Sequence, residues 1–129
     1  VIALDTNILL RYLADADAAE HPVAARLLED DLTRDVPGFV SIVVLAETLW
    51  VLASGYRVSS DAQRDIVRGL LDLPQLVLEG SDEIEAALAM PHRDLVDCIL
   101  HQLGKAAGCT HTVTFDKRFA RLDGVELVR

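Results

Sequence analysis

The sequence has little cysteine. Cys98 and Cys109 are the only two in 129 residues, and neither has a CxxC partner. That excludes a disulfide framework, so two reduced core thiols are expected. Long apolar runs are missing too. The longest, Phe39–Ala53, carries Glu47 near its middle and is too short and too interrupted to span a membrane. No basic start with an apolar run behind it marks a signal peptide. A cytoplasmic protein is therefore expected. The chain opens on Val1 rather than Met, so its natural start is expected upstream. Linkers, repeats and low-complexity segments are also lacking. The length suits one domain, 1–129, able to bury a core without staples.

Positive charge is scarce as well: 12 Lys and Arg stand against 21 Asp and Glu, a net charge of −9. Taken alone, this argues against nucleic-acid binding, which normally needs a basic face. The objection weakens if several acids gather in one metal site, because bound divalent cations would reverse the local field. The acids are thus either a solvated surface or a metal cage.

What is present is an alternation of short apolar strands with helices. Val1–Leu4 reads as a buried parallel strand. A helix with Ile8, Leu9, Leu10, Tyr12 and Leu13 follows. His21-Pro22 opens another, carrying Val23, Leu27 and Leu28 inward. Pro37-Gly38 is a turn before the strand Phe39–Val40. Ser41 caps a helix from Ile42 to Ala53, ended by Gly55. Ser59 or Ser60 caps the next, with Ile66, Val67, Leu70 and Leu71, and Pro74 stops it. The strand Leu76–Leu78, a helix capped by Ser81 and running through Ala89, and a helix Asp94–Ala107 closed by Gly108 follow. Thr110–Thr114, a short helix Lys117–Ala120 and Val125–Val128 complete the chain. The pattern indicates an α/β sandwich with a central, mainly parallel sheet. In such sheets ligands bind beyond the carboxyl ends of the strands. Asp5 follows the first strand directly, and Asp116 lies two residues past Thr114.

Glu47 is the only charge between Phe39 and Gly55. Its helix is apolar all round, which places it in the core or an interface. A carboxylate there is costly unless it is paired or holds a metal; the alternative is a Glu reaching solvent from an interface rim. Leu95, Val96, Ile99, Leu100 and Leu103 form one arc of their helix, with Asp94, Asp97 and His101 on the other side. Asp97 lies nearest the apolar border. Asp94 suits an N-cap, and His101 reads as a surface histidine. Asp5 and Asp116 each have a plainer reading as acids at helix N-termini. No Ser-His-Asp or Cys-His pairing is evident, and hard oxygen donors without a His–Cys cluster point away from zinc.

Four segments together carry a family resemblance. Val1-Ile2-Ala3-Leu4-Asp5-Thr6-Asn7-Ile8-Leu9 resembles the opening motif of PIN-domain nucleases, and Ser41-Ile42-Val43-Val44-Leu45-Ala46-Glu47 the second. Asp94-Leu95-Val96-Asp97-Cys98-Ile99-Leu100 resembles the third, and Thr114-Phe115-Asp116-Lys117-Arg118-Phe119 the fourth. Their order and the chain's size are similar to VapC-type toxins of type II toxin–antitoxin systems. The resemblance implies a PIN-like α/β/α fold and an endoribonuclease in which Asp5, Glu47, Asp97 and Asp116 hold Mg²⁺, with Mn²⁺ as a substitute. Thr6, Asn7 and Thr114 would stand behind them, holding water or orienting the carboxylates. It also implies an RNA substrate and a small antitoxin partner, whose arginine would fill the acidic pocket. Arg11, Arg57, Arg93, Lys105, Lys117 and Arg118 are candidate phosphate contacts. The apolar helix bearing Trp50 suggests a homodimer. A phosphoacceptor receiver domain fits poorly, because Asp5 is followed by Thr6-Asn7 rather than a second acid. A catalytically silent PIN fold that binds protein is the other alternative.

Overall fold

The computed structural model describes residues 1–14 and 17–129. They form two compact units, Val1–Glu79 and Gly80–Arg129.

In the first unit β1 (Ile2–Ala3), β2 (Gly38–Val40) and β3 (Leu76–Leu78) form a parallel sheet with β2 in the middle. Gly38 pairs with Ile2 on one side and Leu76 on the other. Gly38 therefore lies in the central strand, not in a turn. A Cβ there would stand 2.8 Å from Leu32 Cδ1 and 3.0 Å from Leu4 Cδ1, so only glycine lets those leucines close over the strand. The Val1–Leu4 run is not buried as expected: Ile2 is 47% exposed and only Leu4 is covered. Among the described residues β1 is an outer strand of its sheet, paired with β2.

The helices are α1 (Thr6–Leu13), α2 (His21–Arg26), α3 (Ile42–Ser54) and α4 (Ser60–Asp72). A π-helical turn, Leu27–Asp31, extends α2. Here Ala24 and Leu28 point inward, one turn apart, and Val23 is exposed. It sits about 100° around the helix from Ala24, so the inward placement expected for it fails. Ser41 Oγ accepts from Val44 N at 3.1 Å, and Ser59 Oγ from Ala62 N at 3.2 Å. The caps are therefore Ser41 and Ser59. Although α3 is apolar all round, it buries one face: Leu45, Thr48, Leu49 and Leu52, at i, i+3, i+4 and i+7. Thr48 is tolerated there because its hydroxyl donates to Val44 O at 2.7 Å.

The second unit holds α5 (Ser81–Leu88), α6 (Leu95–Ala106), β4 (Thr112–Thr114) and β5 (Val125–Leu127), with a 3₁₀ turn at Phe119–Arg121. Helix α5 packs on α6, each contributing a buried stripe: Ile84 and Ala87 from one, Leu95, Cys98 and Ile99 from the other. Ser81 does not cap α5. Gly80 occupies that position at φ +70, and Ser81 is the first helical residue. Strands β4 and β5 pair in parallel, with Thr112 opposite Val125 and Thr114 opposite Leu127. Phe119, Leu122 and Val125 form a small core that Met90 covers. The protein is α/β, and every strand pairing among the described residues is parallel. No helix among the described residues is long and apolar enough to cross a membrane.

Candidate active site

In the first unit Asp5 stands where β1 turns into α1. It is that helix's N-cap, its Oδ1 accepting from Thr6 N at 2.8 Å. Thr6 is buried, and both Asp5 and Asn7 are exposed. Glu47 is not in the core. The inward face of α3 is centred on Leu45, Leu49 and Leu52, and Glu47 projects opposite it, exposed, between the outward Val43 and Trp50. Of the two expected places, core or interface, the core is excluded. Sequence reading passed over Glu79. That acid directly follows β3, and its Oε1 accepts from Ile42 N at 2.8 Å. With Ser41 it satisfies two of the free N–H groups at the start of α3.

In the second unit Asp94 is the N-cap of α6, accepting from Val96 N at 2.9 Å and Asp97 N at 3.2 Å. Asp97, one turn in, keeps only 28% of its side chain exposed, and its Oδ2 lies 3.0 Å from His92 Nε2. Burial pushes the Asp97 carboxyl above the ordinary carboxylate value. The His92 hydrogen bond pulls it down, while the charges of Asp94 and Asp116 push it up. Asp116 is exposed. Its Oδ1 accepts from the backbone N–H of Arg118 at 2.8 Å and of Phe119 at 3.3 Å, and its own N–H donates to Thr114 Oγ1 at 3.0 Å. These bonds make Asp116 the anchor of the chain leading into the turn at Phe119–Arg121, two residues later than the expected start at Lys117.

Three other expectations change. His101 is buried, not on the surface: it is 4% exposed, with Nδ1 2.7 Å from Thr112 Oγ1. Gly124 leaves room for the ring, and burial, with the nearby Lys105 charge, holds its pKa below the ordinary imidazole value. Of the two cysteines, Cys98 is buried and Cys109 exposed. Arg11 is half-buried with Nε 3.6 Å from Glu20, whereas Arg57, Arg93, Lys105, Lys117 and Arg118 are exposed. The residue that sequence reading missed is His92. Its signal was its place in Pro91-His92-Arg93, five residues before Asp97.

Among the described residues, no three His, Cys, Asp or Glu side chains converge as a ready metal cage. What the second unit does bring together is Asp97 and Asp116, near enough for one charge to act on the other. Each uses one carboxylate oxygen in a described hydrogen bond. Two mutually repelling carboxylates are hard oxygen donors, and that chemistry fits Mg²⁺ or Mn²⁺. The family model for the PIN domain matches residues 2–125. The chain belongs to the PIN domain family. The match covers nearly the whole chain and spans all four acids. PIN domains are generally nuclease folds, and PIN nucleases generally use divalent metal ions. No curated protein matches the sequence.

Proposed function

We propose that this PIN domain, a single nuclease domain over 1–129, is a Mg²⁺-dependent endoribonuclease and the VapC-type toxin of a type II toxin–antitoxin pair. The observation that carries the reading is Asp97: a half-buried carboxylate raised first by burial, with the charges of Asp94 and Asp116 adding to it. A bound divalent cation would offset that repulsion. Asp5, Glu47, Asp97 and Asp116 are the residues that would hold it. When bound, Mg²⁺ supplies charge neutralisation at the phosphodiester and favours ionisation of the attacking water. The chain's own part is orientation. Thr6 N–H fixes Asp5, and Arg118 and Phe119 N–H fix one oxygen of Asp116. The Thr114 hydroxyl holds the Asp116 backbone, and Thr6 and Asn7 flank Asp5. RNA as the substrate rests on the family, and Lys105, Lys117 and Arg118 offer phosphate contacts. A cytoplasmic location goes with this role.

The test is cleavage of labelled RNA by the purified chain. Cleavage is expected in Mg²⁺ or Mn²⁺, to stop in EDTA, and to fade at acid pH as protons compete for the carboxylates. Persistence in excess EDTA would reject the mechanism. A folded, metal-binding chain that leaves RNA intact would favour the silent, protein-binding alternative.

The partners follow the same reading. Val43 and Trp50 leave α3 outward on either side of Glu47, 72% and 69% exposed, two apolar side chains that a second copy would cover. Light scattering at micromolar concentration is expected to give twice the monomer mass, and a monomer mass would remove the dimer. An antitoxin arginine is expected to quench cleavage by pairing with the acids. Inhibition that survives replacement of the antitoxin's arginines would remove that mode.

A further inference from the structure

We propose that His92 is a positioning residue for the acidic site, fixing the Asp97 carboxylate by one oxygen so that the other is left for a divalent cation. The proposal rests on the metal-dependent reading above. An ionised carboxylate only accepts hydrogen bonds, so the 3.0 Å contact requires the proton on His92 Nε2. That bond occupies Asp97 Oδ2 and stops the carboxylate from rotating freely. Asp97 Oδ1 has no described hydrogen bond, and Asp116 is arranged the same way, with Oδ1 tied to Arg118 and Phe119 and Oδ2 left over.

The ring is itself held firmly. Its side chain is only 8% exposed. It stacks on Phe119, with centroids 5.3 Å apart and planes 21° from parallel. Phe119 is buried in the core with Leu122 and Val125. The His92 backbone N–H donates to Met90 O at 3.0 Å, so the loop before α6 is fixed as well. One rigid path therefore reaches both acids. His92 bonds to Asp97 through Nε2 and packs on Phe119, whose N–H bonds to Asp116. Hydrogen bonds from outer residues to a ligating carboxylate set its direction, and losing one typically weakens metal binding 10–100-fold, roughly.

The experiment measures Mn²⁺ binding to the full chain by electron paramagnetic resonance, with melting curves to check folding. His92→Phe keeps a flat ring against Phe119 but has no donor. His92→Gln loses the ring but carries an N–H at nearly the reach of Nε2. The expected result is Mn²⁺ affinity weaker by about 10–100-fold in His92→Phe and close to wild type in His92→Gln. Should His92→Phe not fold, His92→Asn, whose amide is too short to reach Asp97, replaces it in the same comparison. Wild-type affinity in the donor-free variant overturns the proposal. So does an equal loss in the donor-free and Gln variants, which would make His92 a packing residue only. A wild-type chain that binds no Mn²⁺ would instead remove the metal-dependent reading itself, and this proposal with it.

Discussion

Asp97→Asn is expected to abolish RNA cleavage while the chain still folds. The swap keeps the size of the side chain and an oxygen that can accept from His92 Nε2, 3.0 Å away in the native protein. It removes the negative charge. Losing even an outer hydrogen-bond partner of a metal ligand costs up to about 100-fold, so removing a ligand's charge should cost more. Stability should move the other way. Burial and the charges of Asp94 and Asp116 hold the Asp97 carboxyl above its ordinary value. A carboxyl raised in the folded state favours folding at low pH, and that contribution is lost as pH rises through its folded value. At neutral pH the charge is therefore a burden in the metal-free protein. In EDTA, Asp97→Asn should melt a few degrees higher than wild type. Asp94→Asn is the control. Asparagine caps a helix about as well as aspartate, so cleavage and melting should both stay near wild type. Full activity in Asp97→Asn, with loss in Asp94→Asn, would move the ligand to Asp94.

The depth order of Asp94 and Asp97 was legible because the helical wheel of α6 separates the two acids, and the structure keeps that order: Asp94 caps and Asp97 is the more buried. The caps Ser41 and Ser59 and the strand positions were legible for a similar reason, since they depend on local chemistry. Burial was not always legible. The sequence of α3 has no polar face to mark which side turns outward, so it could not separate core from interface for Glu47; only Leu45, Thr48, Leu49 and Leu52 are buried. His101 was placed wrongly. Its polarity suggested solvent, but the space that accepts it is made by a glycine 23 residues later, Gly124. Gly38 and His92 illustrate the same limit. Each is explained by neighbours distant in sequence: Leu4 and Leu32 for the glycine, Phe119 for the histidine. Local patterns carry capping and periodicity; they do not carry what packs across from what.

Gly124→Ala is expected to be among the most damaging single-methyl changes in the second unit. Gly124 has φ +82, and a Cβ there would stand 3.1 Å from His101 Cε1 and 3.2 Å from Nε2. The left-handed backbone costs an alanine about 1–2 kcal/mol. Crowding a packed interior costs about 1–3 kcal/mol more. His101 has little room to retreat, because Nδ1 is bonded to Thr112 at 2.7 Å, and Thr112 N donates to Gly124 O at 2.9 Å. The strain falls on the β4–β5 pairing, which carries Thr114 and, through it, Asp116. Urea unfolding should show a loss of about 2–5 kcal/mol, and cleavage should fall although Gly124 is no candidate ligand. The same packing gives a pH dependence. Burial, then Lys105, holds His101 below 6.5. The unfolded chain therefore takes up a proton before the folded one does. His101 supports folding above pH 6.5, and that support is lost as pH falls from there through its lower folded value. Asp97 has the opposite slope, so the difference between wild type and a variant is the clean measure. Urea midpoints at pH 8 and pH 5.5 should separate more in wild type than in His101→Gln, which keeps a polar group near Thr112 but cannot titrate. Equal separations in the two proteins would mean that His101 protonates as readily in the fold as out of it, and that its burial does not hold the proton off.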